Sequence, residues 1–281
     1  MTQVHGTRVT TGYLTKNALP SISRTRTVEA AATLLLKLDE PDGNTAPVDS
    51  SVNAFTITGN ANVALSNAQA KFGTTSLDTG AADSGKYLSM SYNSIHNLAE
   101  ELWTAECWVY LTAMPAVGVQ GETITWNNNT GATNDGYAQI RMAINNNGSM
   151  FFLVAGSTAS AWKNNTQTAT SLITINNWIH LAGVRDSSNV FRLYINGTQR
   201  LNYTSSVTTF NHAGPTYIGA LSALGVVRKR FAGYIDCVRV IKGHCLYPNG
   251  TTFTPSTTEL TATASYSATI NNAIYGLRAQ Y

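Results

Sequence analysis

Between Asn177 and Gln199 the chain writes out a β-meander, two strands and the start of a third. Trp178 to Arg185 is an apolar run of β formers, Asp186 to Asn189 is a polar loop, and Val190 to Ile195 is a second such run closed by Asn196-Gly197. Asn-Gly readily supplies positive φ at both central positions of a type I′ turn, whose twist matches that of its strands. Strand side chains alternate, so Phe191, Leu193 and Ile195 share one face while Val190, Arg192 and Tyr194 share the other. The first of these faces is core.

The same pattern recurs along the chain. Leu34 to Leu38 ends in the turn cluster Asp39-Glu40-Pro41-Asp42-Gly43, and Phe55-Thr56-Ile57-Thr58 stops at Gly59-Asn60. Further runs are Ser76-Leu77, Lys86 to Met90, Ala105 to Leu111, Gln139 to Val154 around an Asn145-Asn146-Asn147-Gly148 tip, Thr216 to Gly219 and Phe231 to Ile241. Asn97 to Leu102 reads as a helical turn. Turn signals at intervals of about 8 to 12 residues, with no long helical period, predict an all-β fold, and a two-sheet antiparallel jelly-roll sandwich is its natural form.

Residues 30–260 are expected to form this one domain. Residues 1–29 form an N-terminal arm with Arg8, Lys16, Arg24 and Arg26 and no acidic residue before Glu29. It reads either as a disordered tail or as an extended anchor that orders on a partner. Residues 261–281, rich in Thr, Ala, Ser and Tyr, form a C-terminal tail with a candidate edge strand at Ser267 to Leu277.

Composition removes several function classes. Charged residues are 12% of the chain, about half the usual share, and the net charge is +3. Arg228-Lys229-Arg230 is the one basic run, so neither nucleic acid nor a membrane surface is expected as a partner. No apolar segment is long enough to cross a bilayer, and the first residues lack the apolar centre of a signal peptide. Cys107, Cys237 and Cys245 form an odd set without C-x-x-C spacing, so neither a disulfide framework nor a zinc site is suggested; Cys107 and Cys237 read as small buried hydrophobes, and a Cys237–Cys245 pair is the other reading.

The order of these runs resembles the concanavalin A-like, laminin-G-like jelly rolls, in particular those of bacteriophage and bacterial surface proteins. The pieces that carry the resemblance are Leu34 to Asp39 with Asp49-Ser50-Ser51, Ala70 to Leu77, Lys86-Tyr87-Leu88, Ala105 to Val109, Trp178 to Ala182, Arg192 to Gly197, Ile218-Gly219 and Phe231 to Val240. Lys242 to Tyr247, ending in Phe253-Thr254-Pro255, looks like the closing segment of the phage versions. The fold hosts lectins, glycanases, adhesion modules and inert structural domains alike.

The resemblance implies a non-enzymatic virion protein, assembled in the host cytoplasm and held on the particle as a capsid decoration or another head or tail appendage. Its expected partners are other virion proteins, copies of itself on the particle, and a host-surface glycan. The alternative is a carbohydrate-binding or receptor-recognition module of tail-fibre type, and a glycan-active enzyme comes third.

For catalysis the sequence offers little. No E-x-D-x-E-like strand supplies paired carboxylates, no G-x-S-x-G elbow is present, and His5, His96, His180, His212 and His244 are scattered. No catalytic residue is expected. If the resemblance extends to a structural calcium ion, Asp49 and Asp236 are its candidate ligands, with Asp39 or Asp42 next. The other reading is that Asp49 caps a turn and Asp236 accepts local backbone N–H groups. Trp108 and Trp178 read as core. Glycan contacts are expected from loop aromatics, with Trp126, Tyr137 and Trp162 as the candidates.

Overall fold

A computed structural model of the chain describes residues 22–60, 62–81, 84–98, 101–128, 138–155, 162–204, 212–223, 226–228, 231–250 and 252–272, the side chains of 22–26, 155, 162–165 and 267–272 excepted. The first strands are β1 (Ile22–Ala31), β2 (Leu34–Leu36), β3 (Thr58–Asn60), β4 (Ala64–Ser66), β5 (Ser76–Gly80) and β6 (Tyr87–Met90). The central ones are β7 (Trp103–Leu111), β8 (Gln120–Asn128), β9 (Ala138–Asn145), β10 (Met150–Ala155), β11 (Trp162–Gln167), β12 (Trp178–Arg185) and β13 (Val190–Ile195). The last are β14 (Thr198–Thr204), β15 (Thr216–Ile218), β16 (Leu221–Ala223), β17 (Val226–Arg228), β18 (Gly233–Lys242) and β19 (Thr263–Asn272).

Two antiparallel sheets form a sandwich, as the turn spacing predicts. One runs β14-β13-β12-β7-β18-β5-β4, with β2 also paired to β18; the other runs β11-β10-β9-β8-β15-β6-β3. Alternation fills the space between them. Trp103, Ala105, Cys107, Val109 and Leu111 of β7 point inward and meet Ile124, Trp126, Ile140, Met142 and Phe152 in one buried cluster. Gly183 sits where the sheets approach closely, since a Cβ there would lie 2.8 Å from the Phe152 ring.

The meander forms as expected. Strands β12 and β13 keep the predicted bounds, and Ile195 pairs with Thr198 across Asn196 (φ 49) and Gly197 (φ 74), the two positive φ values of a type I′ turn. Elsewhere the boundaries move. Phe55 is not in a strand, because its N–H donates to Asp49 Oδ2 at 2.9 Å, and the strand begins at Thr58 and takes in Gly59-Asn60. The helical turn lies at Ser94–His96, where the Asn93 side chain accepts the Ile95 N–H and His96 Nδ1 accepts the Asn93 N–H.

Strand β8 is the element that the sequence conceals. Only Ile124 and Trp126 in it are large and apolar. Its polar side chains are nonetheless buried and bonded: Thr125 Oγ1 donates to the Ala220 carbonyl at 2.9 Å and Asn128 Nδ2 to the Ser222 carbonyl at 2.7 Å.

The chain divides into two units, one of Glu29–Ser265 and one that joins Met1–Val28 to Tyr266–Tyr281. Strands β1 and β19 make a two-stranded ribbon of their own, so the tail strand, Thr263–Asn272 rather than 267–277, pairs with the arm instead of a sandwich edge. The ribbon is antiparallel: Ala32 N donates to Ala262 O at 2.7 Å while Ser265 Oγ donates to Glu29 Oε1 at 2.6 Å.

Candidate functional site

Strands β12, β7 and β18 lie side by side, and their outward positions form three cross-strand rows. The first is Trp178–Tyr110–Tyr234, the second His180–Trp108–Asp236, the third Ala182–Glu106–Arg239. Simple alternation along β18 would send Asp236 and Arg239 to opposite faces. A bulge between them, with Cys237 at φ 46, turns both outward.

The first row is an aromatic strip. All three rings are half-buried, with centroids 5.6 Å apart for Tyr110 and Trp178 and 6.1 Å apart for Tyr110 and Tyr234. Asp78 of β5 continues the row beside Tyr234, and its Oδ2 accepts from Lys86 Nζ at 3.1 Å. Burial, with Asp78 and Tyr110 adding to it, raises the Tyr234 pKa, so the ring carries a hydroxyl donor at neutral pH. The rings are inclined to one another by 58° and 72°, so the strip offers ring faces and edges with hydroxyl, carboxylate and ammonium groups along it, the combination that holds a ligand with one apolar and one hydroxylated side.

The third row anchors the grid. Glu106 Oε1 accepts from Arg239 Nε at 2.8 Å, and Oε2 accepts from His180 Nε2 at 3.1 Å and from the Tyr247 hydroxyl at 2.7 Å. Burial pushes this carboxyl up, but Arg239, His180 and Tyr247 together outweigh it and hold the pKa near about 2. Tyr247 comes from the closing segment, where it stacks on Phe253 with centroids 3.6 Å apart. Phe253 N in turn donates to the Gly197 carbonyl at 3.0 Å, so the Asn-Gly turn pins the segment over the sheet.

The second row lies between strip and network. Lys71 N and Phe72 N donate to Asp236 Oδ2 at 2.8 and 3.2 Å, the Phe72 ring meets Trp108 edge-on, and Lys71 Nζ lies 4.1 Å from the Trp108 ring centroid. Burial raises the Asp236 carboxyl to about 7, against the lowering effect of the Lys71, Phe72 and Cys237 amides.

The expected site residues are not brought together. Trp126 is fully buried in β8, its Nε1 donating to the His96 carbonyl at 2.7 Å, so it presents no face to a sugar. Tyr137, Arg8 and Lys16 lie outside the described residues; Trp162 opens β11, and Arg24 and Arg26 belong to β1, with their side chains outside the description. Asp49 accepts from Leu35 N and Ser51 N on Oδ1, and from Ser51 Oγ and Phe55 N on Oδ2. With four donors on two oxygens it caps the turn and keeps no lone pair for a metal ion.

Asp39 and Asp42 are bonded to Thr74 N and Asn67 N. Among the described residues no three acidic, His or Cys side chains converge on a point. The carboxylates expected to hold calcium therefore do not converge on one site among the described residues.

Sequence reasoning missed the strip because it sought loop aromatics and read Trp178 as core. The usable signal was the alternation of Trp108 and Tyr110 against the apolar face of β7.

Comparison with known proteins follows the same lines. The family profile described as concanavalin A-like lectin/glucanases superfamily matches residues 82–246. No curated protein matches the chain. Among solved structures, the binding domain of Paraclostridial Mosquitocidal Protein 1 superposes with a TM-score of 0.58 at 11% identity, over 75% of this chain and 49% of that one. The receptor binding domain of botulinum neurotoxin D gives 0.54 at 13%, over 76% and 50%. Domain 4 of a GH43 extracellular arabinanase from Geobacillus stearothermophilus, solved with arabinotriose, gives 0.51 at 17%, over 77% and 94%. The chain spans about half the length of the toxin domains, and these likenesses are of fold.

Proposed function

The chain belongs to the concanavalin A-like lectin/glucanases superfamily, and from that premise we propose that it is a non-enzymatic, surface-displayed lectin-like domain that binds a glycan along the strip Trp178–Tyr110–Tyr234. The observation that carries the reading is the strip itself: three half-buried aromatics on adjacent strands, outside the core. Adjacent strands lie about 4.8 Å apart, so three of them present rings at intervals close to the repeat of an extended sugar chain. Binding rather than cleavage is supported by the state of Glu106, which cannot serve as the second carboxylate that cleavage beside Asp236 would need. Arg239, His180 and Tyr247 already use both its oxygens, and its depressed pKa denies it a general acid's proton.

The setting proposed is a bacteriophage particle, as a capsid decoration or a head or tail appendage in several copies, bound to other virion proteins through the chain termini. Two observations support it: the phage-type closing segment from Lys242 to Pro255, and the pairing of arm and tail in the β1–β19 ribbon. Residues 1–28 and 266–281 carry five basic and no acidic residues, which favours an acidic docking surface.

A glycan array, followed by calorimetry on its best ligand, tests the first part. Binding that Trp178→Ala removes supports it, whereas an empty array or a Trp178→Ala protein that binds like the parent ends it. For the second part, deletion of residues 1–28 abolishes particle attachment while the sandwich stays folded; retained attachment refutes the anchor.

A further inference from the structure

The row beside the aromatic strip carries three buried polar atoms without partners. Asp236 Oδ1, Trp108 Nε1 and His180 Nδ1 all lack a hydrogen bond, although Asp236 is 0%, Trp108 6% and His180 1% exposed. Buried polar groups in native proteins are nearly always satisfied, because each orphan forfeits its hydration without return. Three orphans on residues that pair directly across β12, β7 and β18 form a pattern rather than three accidents.

Their chemistry is complementary. With Glu106 ionised, His180 Nε2 donates to Oε2, and in the neutral ring Nδ1 is then an acceptor; Trp108 Nε1 is a donor only; Asp236 Oδ1 accepts, or donates when protonated. An acceptor, a donor and a second acceptor in line match adjacent hydroxyl groups, each of which both gives and takes a hydrogen bond. The row lies two residues along the strands from the aromatic strip, about 7 Å away, within reach of a sugar stacked there.

Three half-buried side chains cover the row: Lys71 and Phe72 lie over Trp108, and the Phe253 ring stands edge-on to His180 with centroids 5.9 Å apart. The Lys71 and Phe72 N–H groups bond Asp236 Oδ2 and not Oδ1.

We infer that His180, Trp108 and Asp236 form a hydroxyl-binding subsite for the glycan that stacks on the strip, covered by Lys71, Phe72 and Phe253 until the ligand displaces their side chains. The inference rests on the glycan-binding reading and adds its selectivity: stacking tolerates many sugars, whereas a donor between two acceptors selects a vicinal diol of fixed geometry.

The test uses the full chain, titrated with cellohexaose, xylohexaose, mannohexaose and arabinohexaose, while the indole N–H signals of its five tryptophans are followed by NMR. For a hexaose that binds, the Trp108 signal moves together with that of Trp178, Asp236→Asn weakens binding at least fivefold, and Lys71→Ala, which thins the cover, strengthens it. If Trp178 responds while Trp108 stays still and Asp236→Asn binds like the parent, the subsite is refuted and the strip survives. If no hexaose binds, or Trp178→Ala changes nothing, both fail.

Discussion

Asp236 and Arg239 stand three residues apart in β18 yet face the same side of the sheet, because Cys237 takes a left-handed conformation and the ladder slips between them. That slip sets Arg239 against Glu106 and Asp236 beside Trp108, and the outward grid depends on it.

Glu106→Gln tests how far the grid leans on its anchor. The substitution keeps shape but leaves the Arg239 guanidinium, 7% exposed, without its counter-charge. Losing one partner of a buried pair costs about 3–5 kcal/mol, so the denaturant midpoint falls sharply while the m-value holds. A midpoint within error of the parent would show the pair to be dispensable.

The pH dependence has two opposing parts. The Asp236 carboxyl sits at about 7 when folded against 3.8 ordinarily, so between those values the native state holds a proton that the unfolded chain has released. The Asp236 contribution therefore falls as pH rises from about 4 to about 7, and Asp236→Asn removes it; burial lowers His96 and His212 to about 4, so their contributions rise over about 4 to 6.5. Glu106 has the reverse sign: its folded pKa of about 2 against 4.5 means its contribution is present above 4.5 and lost as pH drops towards 2. Thermal melts of parent and Asp236→Asn from pH 3 to 8 should show the variant's melting temperature gaining on the parent's as pH rises from about 4 to about 7.

Tyr110→Ala removes the middle ring of the strip. Because Tyr110 is half-buried with edge contacts to Trp178 and Tyr234, the stability loss should be moderate, about 1–2 kcal/mol, and circular dichroism unchanged. Glycan affinity should fall at least about tenfold, or 1.4 kcal/mol, measured by calorimetry on the array's best ligand.

Gly197→Ala examines the type I′ turn between β13 and β14. Gly197 has φ 74, and a Cβ there would lie 1.8 Å from the Phe253 carbonyl oxygen. Strain from the left-handed backbone alone is about 1–2 kcal/mol, and the clash adds to it. The expected outcome is a lower melting temperature with faster proteolysis within residues 244–256, since the turn and the closing segment are pressed together.

Calcium provides a direct check on Asp49. With all its lone pairs used by Leu35, Ser51 and Phe55, added calcium or chelator should leave the melting temperature unchanged; a calcium-dependent rise removed by Asp236→Asn would overturn this.

Local chemistry alone was enough for the meander, the type I′ turn at Asn196-Gly197, the inward face of β7 and the all-β class, because alternation and turn preference act over a few residues. Three things needed the tertiary structure. Trp126 became core because β8, polar in sequence, lies inside the second sheet with Trp126 on its inward face, while Thr125 and Asn128 bond the Ala220 and Ser222 carbonyls. The tail joined the arm because strand pairing is decided by which distant edge is free. The outward grid formed because one left-handed residue, Cys237, changed which side chains of β18 share a face, and period-two reading cannot see a bulge until the partner strand is in place.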